Sequence, residues 1–367
     1  MTQYWVIDRP RAEAWLRGLT QKQEVLVPAA RSGVWAFLPL EAGLAIGWDG
    51  ANPLLPAKGA FFPQTDPLFR FRREEGKLNI EPVAEAVRER VLFGIRPCDA
   101  RSLALLDKVF GGPFADSQYQ ARRAATLLVA WACDHPRPTC FCQSVGVDPT
   151  TAPEADVMFA PLPRESRPAQ GSEQAPHQRE PGSEMQYLVW AQTQRGQSWL
   201  ESGMDYLARA QAGQVEAWQE TAAGMANAHP LELDMEGVTD RLRQRFDDSM
   251  WEELSARCLG CGICTFVCPT CHCFDIADWQ RGQEGLRFKC WDSCSFRDFT
   301  LMAGGHNPRP TKKERIRQRF LHKLLYFVDR YGAVACVGCG RCVEQCPVHL
   351  DITEVILRVK GGEWANV

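Results

Sequence analysis

No stretch of this 367-residue chain is both long and apolar enough to cross a bilayer. The most apolar short run, Ala124 to Cys133, is closed off by Arg122, Arg123 and Asp134, well below the ~18–20 residues a membrane helix needs. No secretory leader is expected, because Asp8, Arg9, Arg11, Glu13 and Arg17 interrupt what would have to be its apolar centre. The charge shows no basic excess: 42 Lys and Arg against 45 Asp and Glu leave −3, which gives no reason to expect a nucleic-acid partner. No GxGxxG opens a helix after a strand, and Gly111–Gly112 is too short to replace one, so FAD or NAD bound within the chain is not expected. Solenoid periods are absent too. What these absences leave is a cytoplasmic globular protein, with 45% hydrophobic residues to build cores for two or three domains.

What is abundant is cysteine. Sixteen are present, and in a large chain with no leader they point to metal rather than to a disulfide framework. Eight of them fall in two runs of the form C-x2-C-x2-C-x3-C-P. One is CLGCGICTFVCP, with Cys258, Cys261, Cys264 and Cys268, and the other is CVGCGRCVEQCP, with Cys336, Cys339, Cys342 and Cys346. Such a loop turns three thiolates toward three irons of one [4Fe–4S] cubane, and its glycines, here Gly260, Gly262, Gly338 and Gly340, free backbone N–H groups for the sulfurs. In two-cluster ferredoxins the fourth cysteine ligates the other cluster. Carried over, that crossover gives Cys258, Cys261, Cys264 and Cys346 to one cluster, and Cys336, Cys339, Cys342 and Cys268 to the second. A zinc knuckle needs one C-x2-C pair and a distant second pair, and a doubled four-cysteine run ending in proline does not resemble that. With every ligand a cysteine, no iron is left open for substrate, so the expected role is one-electron relay and no catalytic residue is assigned.

The other eight cysteines are less regular. Cys98, Cys133, Cys140 and Cys142 lie beside prolines and turns, in RPCDAR, WACDHPRPTC and CFC. They suit a third [4Fe–4S] cluster; a smaller metal site or plain buried thiols are the alternatives. Asp99 is expected to cap a helix over 100–109, setting Cys98 at a helix N-terminus that favours a thiolate. Cys271, Cys273, Cys290 and Cys294, with His272 nearby, form a competing set.

Around these motifs the sequence divides in two. Residues 1–232 read as an α/β or α+β domain: strand-like runs at 25–27, 34–38, 91–95, 127–131 and 186–191 alternate with helical stretches such as 82–90 and one carrying Leu207, Ala210, Val215 and Trp218. A Pro/Ser/Glu/Gln-rich segment near 163–184 reads as a mobile surface loop. Residues 233–367 read as a mainly helical two-cluster ferredoxin-like domain with a long insertion between the motifs. One helix, carrying Val238, Leu242, Phe246 and Leu254, delivers the chain to Cys258. A second starts at a Thr311–Glu314 capping box and leads to Cys336. On it Lys312, Lys313, Arg315, Arg317, Arg319 and Lys323 oppose a single Glu314, which reads first as a solvated basic face and second as a dock for an acidic partner.

Together, FFPQTDPLFRF near 61, GIRPCDARSLALLDKVF near 94, TCFCQSVG near 139, CPTCHCFDI, WDSCSF and AGGHNPRPTKKERIRQRFLHK resemble the iron–sulfur beta subunit of the sulfhydrogenase family, which is similar to an iron–sulfur component of anaerobic sulfite reductase. The resemblance covers most of the chain. It implies a non-catalytic subunit that passes electrons between a flavoprotein subunit oxidising NAD(P)H and a catalytic partner, either a nickel–iron hydrogenase or a sulfite or disulfide reductase. A self-contained flavin-dependent iron–sulfur reductase is the alternative, and stoichiometric flavin in the purified chain would favour it.

Overall fold

The structure, a computed structural model, describes residues 2–48, 52–83, 87–162, 185–226 and 230–362. The 163–184 segment expected to be a loop lies outside the described residues. In chain order the strands are β1 (Tyr4–Asp8), β2 (Glu24–Arg31), β3 (Val34–Pro39), β4 (Thr65–Glu74), β5 (Lys77–Pro82) and β6 (Arg90–Ile95). They continue with β7 (Thr126–Trp131), β8 (Val157–Pro161), β9 (Gln186–Ala191), β10 (Ala208–Arg209), β11 (Phe274–Arg281) and β12 (Glu284–Trp291).

Eight of these strands form one mixed sheet in the order β10-β1-β9-β8-β7-β6-β2-β3. Its centre, β2, β6, β7 and β8, is parallel. Those strands read as unbroken apolar runs because both faces are covered. Val91, Phe93, Val129 and Phe159 face a layer carrying Trp15, Leu16, Trp199 and Leu200 from helices Arg9–Leu19 and Gln194–Glu201. Leu92, Leu128, Met158 and Leu188 face the opposite layer, with Leu103, Leu106 and Phe110 of helix Pro97–Phe110 and Trp218 of helix Ala212–Ala226. The result is an α/β sandwich of three layers, which selects α/β from the two expected classes. Two local expectations fail in part. Residues 82 and 90 are strand ends, not parts of a helix, and 84–86 lie outside the described residues; Val215 and Trp218 are on helix Ala212–Ala226 as expected, but Leu207 and Ala210 flank the short β10, which borrows its hydrogen bonds from β1.

The carboxyl ends of parallel strands are where such sheets present their sites. Here β6 runs out into Arg96, Pro97 and Cys98, and β7 into Ala132 and Cys133.

The stretch between the two cysteine motifs, expected to loop out, carries the hairpin β11–β12. It pairs with β4 and β5 in a four-stranded antiparallel sheet, order β11-β12-β4-β5. Buried Lys289 and Arg122 both hold Asp66, at 3.0 and 2.6 Å, so this sheet is tied into the first domain by charge as well as by hydrogen bonds. The long helix expected over 233–257 is broken in two, Val238–Arg243 and Met250–Arg257. The break is fixed where Asp248 accepts from the Met250 N–H and Trp251 donates its indole N–H to the Arg245 carbonyl. Both pieces pack through Leu242, Trp251 and Leu254 on Phe320 and Leu324 of the helix that starts at Lys312. The Thr311–Glu314 capping box is present as expected. From His322 to Tyr326 this helix loosens into a π-turn before Phe327–Tyr331 resumes α geometry.

Across the two halves runs a fully buried ion pair, Arg341 to Asp99, bidentate at 2.8 and 2.7 Å, with Arg341 Nε also donating to the Pro53 carbonyl. Removing one partner of such a pair strands the other charge in a dry interior. Asp99→Asn is therefore expected to lower unfolding stability by about 3–5 kcal/mol, read from the denaturant midpoint of the iron-loaded protein, whereas Arg31→Ala at the exposed Arg31–Glu41 pair should leave it nearly unchanged.

Candidate metal centres

The first motif begins where helix Met250–Arg257 ends at Cys258 in an extended conformation. Left-handed glycines at 260 and 262 then fold the loop back into the short helix Ile263–Phe266. Cys258, Cys261 and Cys264 line one cavity, and the fourth thiol in that cavity is Cys346 from the second motif. Backbone N–H groups already point at these sulfurs: Gly260 donates to Cys258 Sγ at 3.3 Å and Leu350 to Cys346 Sγ at 3.2 Å. The second motif repeats the turn with Gly338 and Gly340. Cys336, Cys339 and Cys342 are gathered with Cys268 closely enough to raise one another's thiol pKa values, although burial is the larger cause; Cys336 is pushed up to about 11. Cys268 moves the other way, well down, because the Cys271 thiol donates to it and Lys323 Nζ lies 3.2 Å from its sulfur.

A third cavity is lined by Cys98, Cys133, Cys140 and Cys142, the four residues expected from the sequence to share a site, together with Cys339. Their loop lies directly on the second motif. Phe141 N–H donates to the Gly338 carbonyl at 2.8 Å, the Cys140 thiol to the Cys339 carbonyl at 3.6 Å, and Asn52 Nδ2 to Cys98 Sγ at 3.6 Å. A methyl group at Gly338 would collide with the Phe141 carbonyl carbon and the Cys142 backbone, so this contact, and not the turn alone, requires glycine there. Asp99 does not cap the helix as expected. The N-cap is Arg96, and Asp99, one turn in, is committed to Arg341. Cys98 is in the first helical turn, yet burial, with Asp99 and Cys339 adding to it, pushes its thiol well up rather than toward the thiolate.

The competing set in the insertion is divided by the hairpin. Cys271, Cys273 and Cys294 converge, but Cys290 is on β12 opposite Asp275, with Asp275 and Asp292 as its charged neighbours and no cysteine.

The largest departure from the sequence reading is the basic helix. Of the six, only Lys312 is exposed; Lys313 and Arg317 are half-buried, and Arg315, Arg319 and Lys323, four residues apart, turn inward beside the apolar stripe of Ile316, Phe320 and Leu324. Arg315 donates to the Ser295, Arg309 and Pro310 carbonyls. Lys323 Nζ reaches Thr270 Oγ1 and the Ala335 carbonyl, each at 2.9 Å, besides Cys268. Among the described residues, Arg319, 2% exposed, has no hydrogen-bond acceptor for any of its three guanidinium nitrogens. Its electrostatic neighbours include the thiols of Cys264, Cys342, Cys271 and Cys294, and the second buried cation, Lys323. A buried cation without a carboxylate calls for an anion in the space beside it. An iron–sulfur cubane with four thiolates is such an anion, and the all-sulfur donor sets suit it. Among the described residues no three His, Cys, Asp or Glu side chains are drawn together tightly enough for one single ion; the thiols instead surround shared cavities.

Donors of this kind, arranged around cavities in a ferredoxin-like double motif, define a polycluster iron–sulfur protein, and residues 257–350 match the 4Fe-4S dicluster domain family. Over 345 residues, 94% of each chain, the sequence is 30% identical to the Sulfhydrogenase 2 subunit beta of Pyrococcus furiosus. The chain belongs to this family of sulfhydrogenase beta subunits, and an iron–sulfur electron-transfer role comes with it. Among the described residues no helix is long and apolar enough to cross a membrane.

Replacing Arg319 by Met removes one positive charge beside the clusters while keeping the packing. Coulomb's law at roughly 7 Å and an effective dielectric of ~20 gives about 2 kcal/mol, about 100 mV for one electron. Redox titration followed by paramagnetic resonance should show midpoint potentials lowered by that order, with iron content retained.

Proposed function

We propose that this chain carries electrons singly between a flavoprotein subunit that oxidises NAD(P)H and a catalytic redox subunit, either a hydrogenase or a sulfite or disulfide reductase, in the cytoplasm. The observation that carries the reading is the contiguity of the thiol sites. The N-terminal cavity shares Cys339 with the second motif, and Arg319 joins the second motif to the first. Sixteen free thiols accord with a reducing compartment.

The ligand sets follow the crossover: Cys258, Cys261, Cys264 and Cys346 for one site; Cys336, Cys339, Cys342 and Cys268 for the next; Cys98, Cys133, Cys140 and Cys142 for a third. When bound, a cubane at each site supplies one-electron exchange without making or breaking a covalent bond to substrate. The protein's part is to hold the thiolates, aim the Gly260 and Leu350 N–H groups at sulfur, and neutralise charge with Arg319 and Lys323. Cys261 is exposed, and Leu259 and Ile263 beside it are exposed as well, so the first-motif site is the end a partner reaches. The second-motif site is the buried middle and the N-terminal site the other end. Residues 1–232 then supply one terminus of the path and 233–367 the rest, with β11–β12 locking the two together.

Three sites require about 12 irons per chain and two require about 8. The double substitution Cys140→Ser and Cys142→Ser should remove about four irons and leave the dicluster signals in place; unchanged iron would reduce these four thiols to packing. Cys346→Ala should damage the cluster beside Cys258, 88 positions earlier in the chain. Loss confined to the cluster of Cys336 would overturn the crossover.

A further inference from the structure

The four-stranded sheet ends in an open edge. β5 is its last strand, paired with β4 on one side only, and all six of its residues, Lys77–Pro82, are exposed. The β4–β5 turn consists of Glu75 and Gly76, both left-handed, which makes Glu74 and Lys77 a mutually hydrogen-bonded pair. Alternation from that pair commits the backbone groups of Lys77, Asn79 and Glu81 to β4 and turns those of Leu78 and Ile80 outward. Side chains alternate in the same step. Leu78 and Ile80, each 54% exposed, stand on one face, and Lys77, Asn79 and Glu81 stand on the other. An exposed edge with apolar side chains is a template for another strand, and the residue order says which strand fits. Set antiparallel to a second copy of itself and centred on Asn79, β5 places Lys77 opposite Glu81, Leu78 opposite Ile80, and Asn79 opposite Asn79. The outward N–H and C=O of Leu78 then meet those of Ile80 of the second copy in a hydrogen-bonded pair, and the two-fold axis repeats it. Lys77 and Glu81 fall in non-hydrogen-bonded pairs, where side chains come closest, with Cα atoms about 4.5 Å apart. Nearby Arg72 is held by Glu74 and Glu284, whereas among the described residues neither Lys77 nor Glu81 is in an ion pair. The opposite edge, β11, lacks this symmetry: the register that sets Asp275 against Arg281 brings Asp278 against its own copy.

We propose that β5 is a self-association edge, at which two copies of this chain join antiparallel about Asn79 and fuse their four-stranded sheets into one. The partner it fits is a second copy because the edge complements its own reverse in charge, in apolar side chains and in backbone hydrogen bonding at the same register. A strand carrying charge of one sign would match one of Lys77 and Glu81 and repel the other. Leu78 and Ile80 of both copies then form one apolar strip, continued on β4 by Phe71, which lies opposite Ile80. The inference does not depend on the electron path; it concerns how two chains that carry it are arranged.

The test uses the iron-loaded full chain under anaerobic conditions. Sedimentation over a concentration series should show a species of twice the monomer mass that grows as concentration rises. Lys77→Glu alone, or Glu81→Lys alone, sets like charges at both ends of the pairing and should abolish that species with iron content unchanged. An equal mixture of the two variants should regain it, because each Glu then faces a Lys. In a wild-type dimer mixed from light and heavy-nitrogen chains, carbodiimide coupling should join Lys77 of one copy to Glu81 of the other, read by mass spectrometry. A chain that stays monomeric at every concentration would overturn the proposal, as would a dimer indifferent to both substitutions or one in which that coupling is missing. Coupling of Lys77 and Glu81 to a different subunit in the co-purified complex would overturn it too, by making that subunit the occupant of the edge.

Discussion

Arg319 is a positive charge sealed from water, and among the described residues no acceptor takes a hydrogen bond from its guanidinium. Burying an unpaired guanidinium is among the most unfavourable things a protein interior can contain, so the centre of this structure makes physical sense only around an anion. Much of the surrounding architecture serves that arrangement. The helix from Lys312 presents Arg315, Arg319 and Lys323 along one inward line, the two cysteine loops close over it, and Trp251 and Leu254 pack behind it. Lys323, also buried, is held above its ordinary range in spite of its burial, by the sulfurs of Cys268, Cys271 and Cys336. Folding and cluster assembly are thereby linked, since the charges that would disrupt an empty core are those that a loaded one needs.

The α/β domain has a different relation to the clusters. Its parallel strands bring Cys98 and Cys133 to one edge of the sheet, and helix Pro97–Phe110 starts with Asp99 aimed into the second cysteine loop. Arg341 stands between the ligand-type residues Cys339 and Cys342, and Asp99 follows Cys98, so the buried ion pair fixes the spacing of two thiol sites at once.

How much of this is legible from residues alone differs from element to element. The doubled cysteine run is readable because its spacing is dictated by the cubane and tolerates little variation. The parallel strands are readable because burial on both faces leaves them uniformly apolar. The hairpin β11–β12 escapes such a reading: its charged, alternating sequence resembles a solvated loop, and what makes it a sheet is β4, some two hundred positions away. The inward basic stripe escapes it for a related reason. Lys and Arg on a helix normally face water, and only the four-residue spacing of 315, 319 and 323, in phase with Ile316, Phe320 and Leu324, hints otherwise. The role of Asp99 cannot be read at all, because its partner is 242 positions away.

The π-turn at His322–Tyr326 has a consequence of its own for the second cysteine loop. Widening a helix by one residue per turn leaves carbonyls without their usual donors inside the helix. Here the Lys323 carbonyl takes the Ala335 N–H at 2.8 Å and the Leu324 carbonyl takes the Thr239 hydroxyl at 2.8 Å. The Ala335 carbonyl in turn receives Lys323 Nζ and Thr270 Oγ1. Lys323 thus grips Ala335 from both its main chain and its side chain, and the next residue is Cys336. A flaw in helical winding becomes the clasp that sets where the second cysteine motif begins, so the extra residue in that turn belongs to the metal site as much as any sulfur does.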